Sequence, residues 1–226
     1  MDITWIKMNK LRIFLPLLLS LLLLVSYSCK REIRDLDGNL YTTVKIGNQV
    51  WMKENLNVSH FRNGDPIAEA KSAGEWIMLG MQKKPAWCAQ GNNPDNERTY
   101  GKLYNWYAVN DPRGLAPEGF HVPTDDEWTQ MINFLGGSVM AALKMRANTG
   151  TGTNEAEKGT GFEALSAGYR TVPGKFEGVG SYAYWWSATE ITKDAAWIRF
   201  LDYLYCNVYF SANNKASGFS VRCIRN

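Results

Sequence analysis

Thr124-Asp125-Asp126-Glu127-Trp128-Thr129-Gln130-Met131-Ile132-Asn133-Phe134-Leu135-Gly136-Gly137 spells out a complete helix. Thr124 can accept from the Glu127 amide while the Glu127 carboxylate reaches back, a reciprocal cap for amides otherwise left bare. Trp128, Met131, Ile132 and Leu135 recur at helical spacing, and the glycine pair stops the run. Outward from this helix, residues 138–145 read as a further short helix and residues 149–161, rich in Gly and Thr, as a long surface loop. On the other side, Leu103, Trp106 and Tyr107 fall at i, i+3, i+4 and predict a helix over 100–109, ended by Asp111-Pro112-Arg113-Gly114. Everything beyond is strand-like. Asp37-Gly38-Asn39 and Gly47-Asn48 are turns around the runs 40–46 and 49–52. Residues 62–66 form another turn, and 91–99 a polar loop. Downstream, 162–170, 184–189, 195–203, 207–210 and 219–224 are short apolar runs separated by Gly, Asn and Lys. Strands first, helices in the middle and strands last predict an α+β domain of short antiparallel strands with two main helices, its N- and C-terminal strands free to pair.

The chain has 226 residues, 45% hydrophobic and 13% aromatic, which is enough for one sizeable core. Its net charge of +3 is unevenly held. Residues 1–28 contain Lys7, Lys10 and Arg12 against Asp2, so the remainder is close to neutral and carries no footprint for nucleic acid. Those 28 residues read as an export signal: a basic start, an apolar run over 13–25 too short to span a membrane, then Ser26-Tyr27-Ser28-Cys29. Cys29 after a small residue is a relaxed match to a lipoprotein cleavage site. It predicts lipid attachment at Cys29, a lipidated tether over 29–35, one domain over 36–226, and a surface-exposed outer-membrane lipoprotein held to the membrane by its lipid alone. Ordinary secretion is the alternative.

An enzyme would need a nucleophile, a base or a metal site. His60 and His121 are the only histidines, and both sit in contexts suited to structural roles. No GxSxG or HExxH occurs. Cys88, Cys206 and Cys223 lack zinc-ligand spacing; in an oxidising compartment they predict one disulfide and one leftover thiol. Asn92, Asn93, Asp95, Asn96 and Glu97 read as a solvated turn, and Asp125, Asp126 and Glu127 are explained by helix capping. No metal and no cofactor is expected. Trp51, Trp106, Trp128, Trp185, Trp186 and Trp197 read as core. The adjacent pair 185–186 must point to opposite faces of a strand, leaving one exposed or under a loop.

Five phrases in order resemble one family: Val44-Lys45-Ile46-Gly47-Asn48-Gln49-Val50-Trp51-Met52-Lys53-Glu54-Asn55-Leu56-Asn57, Tyr100-Gly101-Lys102-Leu103-Tyr104-Asn105-Trp106-Tyr107-Ala108-Val109, Gly119-Phe120-His121-Val122-Pro123-Thr124-Asp125-Asp126-Glu127-Trp128, Tyr184-Trp185-Trp186-Ser187-Ala188-Thr189-Glu190, and Gly218-Phe219-Ser220-Val221-Arg222-Cys223-Ile224-Arg225. The family is the Fibrobacter succinogenes major paralogous domain of exported proteins and lipoproteins, which has no settled activity. The resemblance implies a C-type-lectin-like fold of the formylglycine-generating-enzyme branch. The close cysteine pair that holds copper in those enzymes is missing here, since Cys206 stands alone. The tripeptides with which sugar-binding lectins hold calcium are also missing. Cys88 and Cys223 lie in family-like phrases, which implies a bridge between them; Cys206–Cys223 is the competing pairing.

Residues 200–214 depart from the family's polar, Asn- and Ser-rich pattern in this region. Phe200, Asp202, Leu204, Tyr205, Asn207, Tyr209, Phe210, Asn213 and Asn214 have the composition of a binding surface, in which rigid aromatics give contact area at low entropic cost. Tyr205, Tyr209 and Phe210 are the expected anchors. Every residue of the tract is reachable from Asn codons by adenine mutagenesis, the device by which diversity-generating retroelements vary lectin-fold proteins. The alternative is core drift, with apolar residues replacing polar ones as packing changed. The expected function is a non-catalytic surface protein that binds a protein or glycan through this tract. An enzyme of formylglycine-generating type or a structural subunit of a surface assembly are the other classes.

Overall fold

The computed structural model describes residues 33–146 and 159–226. The export signal, Cys29, most of the tether and residues 149–158 of the expected loop lie outside the described residues.

An early hairpin and the last strand of the described residues meet in one sheet. Strands β1 (Ile33–Arg34) and β2 (Leu40–Tyr41) form a small hairpin around the 37–39 turn, and β3 (Thr43–Ile46) and β4 (Gln49–Met52) form the next. Strands β5 (Ala68–Glu69), β6 (Ala86–Ala89) and β7 (Lys102–Tyr104) make a three-stranded side sheet. Then follow β8 (Phe120–His121), β9 (Tyr169–Arg170), β10 (Phe176–Glu177), β11 (Tyr182–Thr192), β12 (Ala195–Asp202), β13 (Asn207–Asn214) and β14 (Ile224–Arg225). The four-stranded sheet runs β3-β4-β14-β8, with Ile224 opposite Trp51 on one side and His121 on the other. The expected pairing of early and late strands is therefore made.

Two helices were legible. Residues Asp125–Phe134 are helical behind a complete Thr124–Glu127 capping box, and Ser138–Met145 follow as a second helix. In chain order these are α4 and α5, because among the described residues three helices precede them: α1 (Ala73–Met81), α2 (Asp95–Tyr100) and α3 (Trp106–Val109). Helix α1 has its own capping box, Ser72 with Glu75. Helix α2 occupies part of the expected polar loop.

The helix expected over 100–109 is a correction: the segment is a strand followed by one short helix. Gly101 ends α2 with φ +69°, and a Cβ there would stand 2.8 Å from the Leu56 carbonyl oxygen. The chain must turn at a point only glycine tolerates. Lys102 then donates to that same carbonyl and Leu103 pairs with Cys88, so tertiary pairing overrides the helical spacing. Residues 162–168 are a second correction: they carry isolated bridges at Ala164 and Gly168, and strand begins only at Tyr169.

The long hairpin β11–β12 divides the core. Trp185 and Trp186 point to opposite faces, as strand geometry requires. Neither is exposed, because packed side chains cover both sides. Trp185 meets Trp128 and Phe162 at 5.7 and 5.6 Å, and Trp51 meets Trp128 at 4.6 Å. Trp186 packs edge-on to Phe219 at 4.7 Å and donates to the Tyr104 carbonyl at 2.7 Å. Of the tryptophans expected in the core only Trp197 is half-buried rather than buried.

Candidate functional site

The aromatic tract folds as β12, a turn over 203–206 and β13. Asp202 makes the turn: its Oδ1 accepts from the Leu204 and Tyr205 amides at 2.8 and 3.0 Å. Cys206 closes it with φ +50°. Pairing is unbroken from Asp202↔Asn207 to Ala195↔Asn214. With strand alternation, Tyr184, Phe200 and Tyr209 share one face, while Trp185, Arg199 and Phe210 share the other.

The first face is an aromatic ladder. Tyr184 stacks on Phe200 at 5.2 Å and Phe200 on Tyr209 at 5.1 Å; Tyr169 and buried Phe219 continue it inward. Burial pushes the Tyr184 hydroxyl well above its usual range, helped by the neighbouring tyrosines and Asp202. The second face packs on α4 and α5 through Leu201 and Val208. Phe210 lies over the Arg199 guanidinium at 5.0 Å and edge-on to Trp197 at 5.6 Å.

Exposure sorts the expected binding residues. Leu204, Tyr205 and Phe210 are 80%, 72% and 62% exposed, Tyr209 is 37% exposed, and Asn214 is exposed. Phe200, Asn207 and Asn213 are half-buried. Asp202 is a correction: it is buried and spends its Oδ1 on the turn amides, so it shapes the surface rather than touching a ligand. Asn214 caps the next turn through the Ala216 amide. The three expected anchors are also redistributed: Tyr205 is at the tip, Tyr209 on the ladder face and Phe210 on the opposite face. Successive strand residues cannot share a side.

A groove of about 390 Å³ lies beside β13. Residues 207–210 form one wall, and Ile132, Gly137 and Ser138 part of the other. The wall of four successive residues brings the groove to the edge of β13, while Arg199 of β12 and the α4 residues extend it under the sheet's second face. Arg199 also lines the groove. It is only 4% exposed. Its Nη2 contacts Asp125 Oδ1 and Thr129 Oγ1, both at 2.7 Å. Burial lowers the Arg199 pKa and raises that of Asp125, while each charge steadies the other. Arg199 Nε and Asn207 Oδ1 are buried without a partner among the described residues. The sequence reading missed Arg199, although a lone cation inside Trp197-Ile198-Arg199-Phe200-Leu201 was the signal available.

The remaining candidates are engaged in local contacts or buried. His121 bonds Glu127 at 2.8 Å and Asn226 at 2.7 Å, tying the C-terminal residue to α4. His60 pairs with Asp37 at 2.5 Å. Asn93 and Asn96 bond within their own turn, to the Asp95 amide and the Gln90 carbonyl. The Cys88–Cys223 bridge is a further correction: both are free, buried thiols, as Cys206 is a free thiol in the turn. They belong to separate core clusters, Cys88 with Trp76 and Leu103, and Cys223 with Met52 and Phe219. Burial raises their pKa values from near 9 to about 11 and about 12.

Comparison with known proteins agrees with the quoted phrases. The sequence model of the Fibrobacter succinogenes major domain matches residues 44–225. No curated protein and no solved structure matches the chain.

Proposed function

The chain belongs to the Fibrobacter succinogenes major domain family, and from that premise we propose that it is a non-catalytic binding protein whose ligand surface is the β12–β13 hairpin. One observation carries the reading: Leu204, Tyr205 and Phe210 are large apolar side chains left in solvent on a rigid, continuously paired hairpin. Exposed large apolar side chains gathered on one hairpin are of the kind that marks interaction sites. The core-drift alternative would have turned them inward. The reading includes export, lipid attachment at Cys29, display at the cell envelope and a C-type-lectin-like fold, with the tract diversified by a retroelement.

The test joins stability to binding. Replacing Leu204, Tyr205 and Phe210 together by Ala should shift the unfolding free energy by only about 1 kcal/mol, because exposed positions contribute little. Retention on arrayed glycans and peptides should be lost, each anchor contributing ~1–3 kcal/mol. Core drift instead predicts a loss of ~3–5 kcal/mol for each aromatic truncation. Lipid attachment is checked separately by labelled palmitate, which should enter the natural protein and not Cys29→Ala.

A further inference from the structure

Three features converge on the groove beside β13. The first is a free strand edge. β13 is outermost in the order β11-β12-β13, and among the described residues positions 207–213 have no backbone partner outside the β12 ladder. The edge carries no Lys, Pro or bulge, the usual devices against pairing with another chain. The second is the start of α5. Gly137 at its N-cap offers no side chain, its first turn holds no acidic residue, and the Ser138, Val139 and Met140 amides have no acceptor among the described residues. A helix start left bare is the positive end of the helix. The third is Arg199, which lines the same groove while its Nη2 is held by Asp125 and Thr129. No carboxylate lines the groove among the described residues.

We infer that this groove takes a carboxylate-bearing extended peptide, paired with the edge of β13 and delivering its carboxylate to the α5 amides and Arg199. The inference rests on the hairpin being a binding surface and names the ligand chemistry. An edge strand supplies main-chain bonds for any extended chain, and a helix start supplies bare donors for an anion. Ile132 and Val208 give the apolar part of the walls, against which a peptide side chain would lie. The Arg199 guanidinium lies 5.0 Å from the Phe210 ring and is buried, hence poorly hydrated, a setting in which a charge-assisted bond is strong.

The probe is a bead library of random hexapeptides in three forms: free C-terminal acids without Asp or Glu, the matching C-terminal amides, and amides carrying a single Glu. Beads of the first or third form should be retained at least tenfold more strongly than uncharged amides, and which of the two is retained tells a chain terminus from a side chain. Binding should slow amide hydrogen exchange over 207–213. Ser138→Asp places a carboxylate at the helix start, where the dipole favours it, so the melting temperature should hold or rise while acid binding falls at least tenfold. Equal retention of acids and amides overturns the inference, as does Ser138→Asp without effect. If that equal retention is lost in the Leu204→Ala/Tyr205→Ala variant, the hairpin reading survives it. Retention of uronate- or sialate-bearing glycans alone, or of no probe, also overturns the peptide site; the second outcome counts against the hairpin reading too.

Discussion

Asn55 does more for this domain than any residue of the exposed tract. Its Oδ1 accepts from Trp185 Nε1 at 3.0 Å and from Arg222 Nε and Nη2 at 3.1 and 2.7 Å, while its Nδ2 donates to the Tyr100 carbonyl at 2.9 Å. Arg222 is wholly buried, held between Phe162 and Trp185, with the Phe162 carbonyl as its other partner. A buried cation stripped of its acceptor retains its desolvation cost. Asn55→Ala should therefore cost about 3–5 kcal/mol in urea unfolding, whereas the same change at exposed Asn214 should cost about 1 kcal/mol or less. The thiols make a second prediction at this scale. Cys88 and Cys223 hold protons in the folded state up to about pH 11 and about pH 12, and release them near pH 9 when unfolded. Between those limits the folded state binds more protons, so their stabilisation is intact below pH 9 and is lost as pH rises through 11 and 12. Alkylation at pH 8 should reach Cys206 in the native protein and spare both buried thiols until denaturant is added, with stability declining above pH 9.

At the scale of elements, a capped helix declares itself locally and a paired strand does not. Thr124 and Glu127 form the bonds their spacing predicted, and Glu127 also binds His121. Burial opposes ionisation of Glu127, but the Thr124 amide and hydroxyl and the His121 ring outweigh it and hold the carboxyl below its usual range. Thr124→Ala should cost about 1 kcal/mol, and thermal unfolding of that single variant checks it. Ser72-Ala73-Gly74-Glu75 has the same punctuation and starts α1, so that helix was open to the same reading. The segment 100–109 was not. Its helical spacing is genuine, yet the bonds that decide its structure come from Leu56, Cys88 and Phe219, far away along the chain. The same limit applies to the candidate site. Its composition and place in the sequence were legible, and so were the two strand runs that carry it, though not their pairing as a hairpin. That Asp202 would turn inward, and that Tyr209 and Phe210 would part to opposite faces, depends on register, which a one-residue slip would reverse.

On the scale of the whole molecule, β14 is the strand on which the others depend. It lies between β4 and β8, Met52 and Leu56 donate to the Cys223 and Val221 carbonyls, and Ile224 is buried against the tryptophan cluster. Ending the chain at Cys223 should remove the cooperative thermal transition rather than lower it by a few degrees, as near-UV circular dichroism would register, whereas removing Asn226 alone should leave it in place. There is a consequence for time as well as stability. Gln49–Met52 leaves the ribosome early, but its neighbour in the sheet is made nearly a whole domain later. Until then the hairpin of β3 and β4 has one bare edge and Trp51 lacks part of its cover. Closure across so long a stretch of chain is slow. The nascent domain thus spends most of its synthesis unlocked, a state that a protease can cut, and Ile224–Arg225 acts as the latch.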